Sequence, residues 1–377
     1  MIKRTRKFIF FYLNTGAGHI SAAKVLKAEM ERNYPGVEIV LRNGFGRRNI
    51  FGRFAFEIFY NLACNYFKGA FPLVYDLGQY RFFQTFVNRM MFGIAPGLRR
   101  IIEEEGATDV VSFHFGLTPQ LNGVIRKLGR KVNITEIVTD PYTVPDAWFY
   151  ERNMDYLVYS DEARNHAIER CGIRPERVRV IPFLMNEKYR TSYTPEQARQ
   201  KRAELGLDPD RKMVLMVGGG EGLPGANEII KEFIVSRAPY TVAVVCGKDR
   251  AKFEALDLLR RAYPKMGLHV YGFIDYLDEL VKVCDCAVIK AGPATLLEML
   301  ECRKPVIICK YIHNQELGNM RFAVRNGVGW FIQNPHDIYL KINEILSGGG
   351  CRTLDRNFGR IRIDTDASVA ARILMDK

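Results

Sequence analysis

Residues 286–319, CAVIKAGPATLLEMLECRKPVIICKYIHNQELGN, constrain the fold more than any other stretch of the chain. They read as an apolar strand, a loop of small residues, a helix, a second apolar strand, a loop and a helix start. Short apolar runs alternating with helical segments belong to a parallel sheet covered on both faces, which places the chain in the α/β class. The loop Ala291-Gly292-Pro293-Ala294-Thr295 lets backbone come close to a ligand, and Thr295 is placed to cap the helix that follows. Free N–H groups at that helix start, together with the helix dipole, favour a diphosphate. Glu298 has two readings. It completes a Thr-x-x-Glu capping box, or it accepts hydrogen bonds from two vicinal hydroxyls of a ribose.

The same alternation runs through the rest of the chain. Lys7 to Asn14 is a strand, Thr15-Gly16-Ala17-Gly18-His19 a tight turn, and a helix from near Ile20 to about Asn33 leads to a strand at Val37 to Leu41. The turn has a Gly-x-Gly but lacks the third glycine of a dinucleotide fingerprint. Two apolar-rich helices, Phe51 to Phe67 and Gln79 to Phe92, flank a break at Pro72. Strands follow at Asp109 to His114, Val132 to Val138 (ending in Thr139-Asp140), Tyr156 to Tyr159 and Val178 to Pro182, with a helix at Asp161 to Cys171. A polar stretch, Met185 to Thr194, reads as a hinge. Beyond it come strands at Met213 to Val217, Thr241 to Cys246, Leu268 to Tyr271, Ala287 to Ile289 and Val306 to Cys309. Past Leu346 a glycine-rich break leads to a last helix, Ser368 to Met375. The expected architecture is two doubly wound Rossmann-like domains, 1–184 and 185–377, facing a central cleft, with the last helix crossing back and ligand held at the strand carboxyl ends.

Composition narrows the class. At 377 residues with 47% hydrophobic content, the chain can give each of two domains a full core and is not disordered. Its eight cysteines are scattered with no Cys-x-x-Cys pair, which suggests a reducing compartment rather than zinc or redox work. The basic start MIKRTRKFIFFYLNTG has only the run Phe8 to Leu13 continuously apolar, too little for a signal segment, and reads as a buried strand. The formal net charge of +13 is uneven: Leu41 to Arg100 holds nine Lys/Arg against two acids amid many aromatics. That pattern fits an RNA surface, an anionic lipid surface or an ordinary helix with a solvated basic face.

The motifs NTGAGHISAA, IVTDPYTVPDAWF, VLMVGGGEGL, YGFIDYLDELVKVCDCAVIKAGPATLLEML and YIHNQELGN, in that order, resemble one family across nearly the whole chain. It comprises the GT-B glycosyltransferases that include monogalactosyldiacylglycerol synthases and processive diacylglycerol glycosyltransferases, related to the lipid-linked peptidoglycan N-acetylglucosaminyltransferase. The resemblance implies a UDP-sugar donor bound by the second half and a diacylglycerol or glycolipid acceptor held by the first. It favours the lipid reading of residues 41–100, with Arg47, Arg48 and Arg53 at an anionic membrane surface, and no nucleic-acid partner. It implies a cytoplasmic protein associated peripherally with the inner face of the membrane. For the donor, it assigns uracil to backbone at Phe273 and Ile274, ribose to Glu298, diphosphate to Gly292, Pro293, Ala294 and Thr295, and sugar hydroxyls to Gln315 and Glu316. Asn319 follows one helical turn later. The run Gly218 to Gly222 offers either a second close backbone approach, at Gly219 and Gly220, or merely a strand-to-helix turn.

Inverting transfer requires the acceptor hydroxyl to lose its proton as it attacks the anomeric carbon. His19 is the candidate base because imidazole titrates near neutrality, and Asp140 could orient or replace it. The alternative for His19 is that it simply caps or hydrogen-bonds the crevice, or contacts the lipid head group beside Gly18. His114 matches a recurrent family histidine or is a buried structural one. Helix N-termini can offset the leaving diphosphate, so neither a metal ligand nor a cofactor is expected. Asp208-Pro209-Asp210 and Asp364-Thr365-Asp366 read as turns. Pro145-Asp146 and His313-Asn314 depart from the family pattern. Two other readings stay open: N-acetylglucosamine transfer to an isoprenoid diphosphate lipid, and a non-catalytic membrane or nucleic-acid binder on the same fold.

Overall fold

The structure, a computed structural model, describes residues 6–14, 16–45, 79–348 and 351–377. The helix expected at Phe51 to Phe67, the break at Pro72, and Arg47, Arg48 and Arg53 lie outside the described residues. The chain divides into two compact units. One comprises Met1–Met185, His313–Gln315 and Asp364–Lys377, the other Asn186–Ile312 and Glu316–Ile363.

In the first unit, β1 (Lys7–Tyr12), β2 (Glu38–Asn43), β3 (Asp109–Ser112), β4 (Asn133–Ile137), β5 (Asp155–Val158) and β6 (Val178–Val180) form a six-stranded sheet in the order β2-β1-β3-β4-β5-β6. Every pairing is parallel. The helices are α1 (Ala17–Asn33), α2 (Arg81–Met90), α3 (Ala95–Glu104), α4 (Thr118–Ile125) and α5 (Asp161–Asn165). The sequence KFIFFY of β1 is apolar without alternation because both faces are covered. Phe8 and Phe10 pack with Ala22, Leu26 and Met30 of α1. Ile9 and Phe11 pack on the opposite side with Leu98, Ile102 and Leu121 of α3 and α4.

The second unit runs α6 (Pro195–Glu204), β7 (Met213–Val217), α7 (Ala226–Val235), β8 (Thr241–Val245), α8 (Arg250–Ala262), β9 (Leu268–Tyr271), α9 (Leu277–Val283), β10 (Cys286–Lys290), α10 (Pro293–Glu301), β11 (Val306–Lys310), α11 (Leu317–Arg325), β12 (Gly329–Phe331), α12 (Pro335–Leu346) and α13 (Cys351–Arg360). Its sheet, also six-stranded and parallel, has the order β12-β11-β10-β7-β8-β9. A capping box of Thr194 and Gln197 starts α6, which fixes where the polar stretch gives way to helix. The last helix, α14 (Ser368–Met375), belongs to the first unit, where Ala370, Ala371 and Leu374 join Phe8 and Phe10 in one core.

Several local expectations need correction. Helix α1 starts at Ala17, so Gly18 and His19 lie in its first turn rather than in a preceding loop. Helix α10 starts at Pro293 with Gly292 as its N-cap and no side-chain cap; Thr295 is already the third helical residue, so the Thr295–Glu298 capping box does not form. Proline at the first helical position set the start three residues earlier, since its fixed φ suits the helix and its missing N–H costs nothing there. The segment read as one helix from Asp161 to Cys171 ends its α-form at Asn165 and continues as a π-turn, His166–Arg170. Strand β12 and helix α13 had no counterpart in the sequence reading. The three-residue β12 is too short to carry a period.

Leu374 is 1% exposed within the first unit's core. Leu374→Ala should therefore destabilise that unit by about 2–5 kcal/mol, read as an earlier unfolding transition in urea. A change below about 0.5 kcal/mol would show that α14 only lies on the surface.

Candidate functional site

Each sheet reverses its winding once, in the first unit between β1 and β3 and in the second between β10 and β7. Connections leave such a pair to opposite sides, so the loops at their carboxyl ends part and open a crevice suited to a ligand. The candidate residues collect at these two places.

In the first unit, β1 leads into the turn before α1 and β3 leads into the loop before α4. His19 and His114 come from these two segments, with ring centroids 4.8 Å apart. Thr139, at the end of β4, brings its hydroxyl to 2.8 Å from His19 Nδ1. Trp148 lies 6.2 Å from His19 and 6.3 Å from His114, centroid to centroid, and its Nε1 donates to Asp140 Oδ2 at 2.8 Å. Phe115 stacks on His114 at 4.7 Å. The Gly116 N–H donates to His114 Nδ1 at 3.0 Å, so the neutral ring carries its proton on Nε2.

Burial pulls the His19 pKa down to about 4, opposed by the Phe113 carbonyl, which favours the charged ring. His114 is depressed well below the ordinary histidine value, chiefly by burial and then by the nearness of His19. Both imidazoles are therefore neutral at pH 7, the form in which a ring nitrogen can accept a proton. The hydroxyl on His19 comes from Thr139, the neighbour of Asp140 in sequence. Thr139 and Trp148 were not singled out from the sequence. Thr139 had a signal, its place beside Asp140 at the strand end, and so did Trp148, one of two tryptophans in the chain.

In the second unit, the glycine run after β7 serves two purposes at once. A Cβ on Gly218 would meet the Gly222 carbonyl at 2.3 Å, and one on Gly222, at φ +67°, would meet the Cys246 carbonyl at 2.8 Å. These two glycines close the turn on itself and on the loop after β8. Gly219 and Gly220 have no neighbour within 4 Å of such a Cβ, so their positions face open space. Across the switch point, the β10 loop presents Gly292 and the first turn of α10, whose N–H groups lack helical partners. The Ala294 and Thr295 N–H groups sit there as second and third helical residues.

Glu298 lies one turn further along α10. Burial raises its pKa to about 7, opposed by a hydrogen bond from Tyr189 and reinforced by the negative charge of Asp278. Tyr189, from the polar stretch read as a hinge, gave no signal in the sequence. Phe273, in the loop after β9, is 71% exposed, and Ile274 beside it is partly buried. Glu316 is 4% exposed: its Oε1 takes the Lys290 ammonium at 2.8 Å and its Oε2 the Ile312 N–H at 2.7 Å. A sugar hydroxyl reaching Oε1 would share it with Lys290. Asn319 is 1% exposed and donates to the Ala291 carbonyl at 2.9 Å, which braces the small-residue loop from behind. Gln315 precedes α11, its N–H donating to the His313 carbonyl at 2.6 Å, with Asn314 between them at φ +55°.

Both Asp-x-Asp triplets are Asx turns. Asp208 Oδ1 accepts from the Asp210 and Arg211 N–H groups at 2.9 and 3.2 Å, and Asp364 Oδ1 from the Asp366 N–H at 3.1 Å. Among the described residues, one group has ligand atoms close enough together for a metal: Asp146, His166 and Cys171, within 4.8 Å of one another. Its carboxylate is already engaged, by His166 Nε2 at 2.8 Å and Arg170 Nε at 3.1 Å. Among the described residues no helix is long and apolar enough to cross a membrane.

The His19 shift has a measurable consequence. As pH falls through 6.5 the unfolded chain takes up a proton on this residue, and the folded chain does so only near pH 4. Folding stability should decline across that window, and His19→Gln should shrink the decline, followed as the thermal midpoint at each pH. Identical slopes for the two proteins would show that the ring is not held neutral.

Comparison with known proteins matches these two regions separately. Residues 19–182 match the monogalactosyldiacylglycerol (MGDG) synthase family model, and residues 197–360 match that of glycosyl transferases group 1. The chain is 27% identical over 229 residues to the chloroplastic monogalactosyldiacylglycerol synthase of Spinacia oleracea, covering 58% of this chain and 42% of that protein. It is 23% identical over 365 residues to the processive diacylglycerol beta-glucosyltransferase of Bacillus licheniformis, covering 91% and 87%. The chain thus spans less than half the length of the spinach relative and most of the bacterial one. Among solved structures, a variant of Os79 from O. sativa in complex with UDP superposes with a TM-score of 0.67 at 12% identity over 98% of this chain and 100% of that one, a likeness of fold. With both sheets and both family matches in order, the chain has the GT-B fold, its first part similar to the monogalactosyldiacylglycerol synthase family and its second to the group 1 glycosyl transferases.

Proposed function

We propose that the protein transfers a hexose, galactose or glucose, from a UDP-sugar to diacylglycerol or a glycolipid at a membrane surface, with inversion at the anomeric carbon. The observation that carries this reading is the set of groups that follow β7 and β10: glycine backbone with open space at Gly219 and Gly220, an α10 N-terminus with no side-chain cap, and the Glu298 carboxyl one turn along α10. That set answers the three parts of a nucleoside diphosphate: backbone and N–H groups for phosphate, a carboxyl for vicinal ribose hydroxyls, and exposed loop backbone at Phe273 for a base. The relatives' names supply the acceptor, and a first unit matched to the synthase family supports it.

In this reading residues 1–184 hold the lipid and the base, and residues 185–377 hold the donor. His19, neutral at pH 7 and steadied by the Thr139 hydroxyl, accepts the acceptor's proton as its oxygen attacks and UDP departs. Asp140, clamped by Trp148, is the alternative base. The α10 N-terminus offsets the charge on the leaving diphosphate, without a metal ligand or cofactor. Membrane association is supported by α2 and the residue before it: Tyr80, Phe82 and Phe86 are 59%, 70% and 60% exposed, with Arg81 and Arg89 exposed among them.

Incubating the protein with diacylglycerol vesicles and a panel of UDP-sugars, then weighing the lipid product, tests the activity directly. A monohexosyl lipid is expected; UDP binding without any lipid product would overturn it, and no UDP binding at millimolar concentration would favour the non-catalytic alternative. His19→Ala should leave UDP affinity within about twofold and cut turnover by about 10²–10⁴. The opposite pattern, weak UDP binding with normal turnover at saturation, would refute the assignment.

Glu298 gives a pH signature. Its ionised form accepts two hydroxyl bonds and its protonated form fewer, so UDP affinity should rise as pH goes from 6 to 8 across the value near 7. The phosphate also titrates near pH 6, so the diagnostic quantity is the difference between wild type and Glu298→Gln. Equal pH dependence in the two proteins would remove Glu298 from the ribose.

A further inference from the structure

Beneath the His19–His114 pair lies a charged residue type where none is expected. Glu136, in the middle of β4, is 0% exposed, and its Oε2 has no hydrogen-bond partner. Its register partners are Ser112 on β3 and Tyr156 on β5. From Glu136 a chain of oxygens leads to the loop that carries His114. Glu136 Oε1 lies 2.7 Å from Thr118 Oγ1, Thr118 Oγ1 2.9 Å from Ser112 Oγ, and Ser112 Oγ 3.1 Å from the His114 carbonyl. These are three oxygen–oxygen contacts at hydrogen-bond distance, and each needs one proton. The two hydroxyls supply two, and the carbonyl supplies none. The third must come from the carboxyl.

We infer that Glu136 is a neutral carboxylic acid that heads a one-way hydrogen-bond chain, Glu136 to Thr118 to Ser112 to the His114 carbonyl, and so acts as a positioning residue for His114. Its surroundings agree. Burial raises its pKa well above the ordinary carboxylate value, with the like charge of Glu151 adding to the rise and the Thr118 hydroxyl opposing it. Glu151 itself faces Asn122 Nδ2 at 2.5 Å and Arg126 at 4.0 Å. The Tyr156 hydroxyl donates to the Glu151 carbonyl at 2.6 Å. An ionised Glu136 would take the Thr118 proton and leave Thr118 and Ser112 facing each other oxygen to oxygen at 2.9 Å with one proton to serve both that contact and the carbonyl. The bond that holds the His114 carbonyl would then lose its orientation, and with it the ring whose Nδ1 the Gly116 N–H fixes.

Two arms test this on the full chain. Infrared difference spectra of wild type against Glu136→Gln at pH 7.5, without substrate, should show the carbonyl stretch of a protonated carboxylic acid; its absence overturns the inference. The Gln amide can donate to Thr118 as the acid does. Glu136→Gln should therefore keep the His114 ring resonances of the wild type and, on the hexosyl-transfer reading, kcat within a few-fold. Glu136→Ala should shift those resonances and lower kcat by at least tenfold with KM for UDP-sugar unchanged. If Glu136→Gln is as damaging as Glu136→Ala, a donor at this position is not what matters. Only the kinetic arm rests on the proposed function; the infrared and ring signals stand without it, so the two can fail separately.

Discussion

The reversal of strand order in a parallel sheet is the constraint on which the rest depends. A parallel sheet must be covered on both faces by helices, and a chain that winds first one way and then the other leaves one strand pair whose following loops diverge. Here this happens twice, after β1 and β3 and after β7 and β10. Most of the candidate residues follow those two pairs or the strands beside them; Phe273 and Ile274, after β9, lie further along the second sheet. The sheets themselves are rigid apolar cores, so side chains at their carboxyl ends are held by structure that has no part in reaction.

The two crevices are built from different materials. The second is mostly backbone: glycines, a proline-started helix and a brace of Glu316, Lys290 and Asn319 that holds the loop from behind. Backbone suits a ligand that is largely phosphate and ribose, where geometry matters more than side-chain identity. The first is mostly side chain and largely buried. Two imidazoles, an indole and a phenyl ring crowd together, and what little polarity they contain is internally satisfied or neutral. Such a place is largely apolar, and its two imidazoles are held neutral by burial.

The architecture was legible in the sequence because several inner strands of both sheets are buried on both sides, which makes them nearly continuous apolar runs. Met213 to Val217 and Leu268 to Tyr271 read with the bounds they have in the structure. Helix starts were less legible. Thr295 looked like a cap, yet Pro293 two residues earlier decided the start. Gly18 and His19 looked like turn, yet they are helical. Among the candidate site residues, the loop glycines, His19 and Glu298 were singled out by residue type and by the resemblance in motif order. What surrounds them could not. Tyr189 reaches Glu298 from a distant segment of the sequence, and nothing in the strand NITEI marks Glu136 as fully buried rather than solvent-facing. Such pairings are set by tertiary packing, which one-dimensional pattern does not encode.

Helix α14 closes the core that β1 opens, with Leu374 against Phe8 and Phe10 and the Arg6 guanidinium on the Met375 carbonyl at 2.7 Å. The two sides of this core are far apart in the sequence, so local contacts cannot complete it: 369 positions separate Arg6 from Met375, and the whole of the second unit lies between them. Until those segments meet, the first sheet lacks part of its cover and leaves an apolar surface exposed during folding.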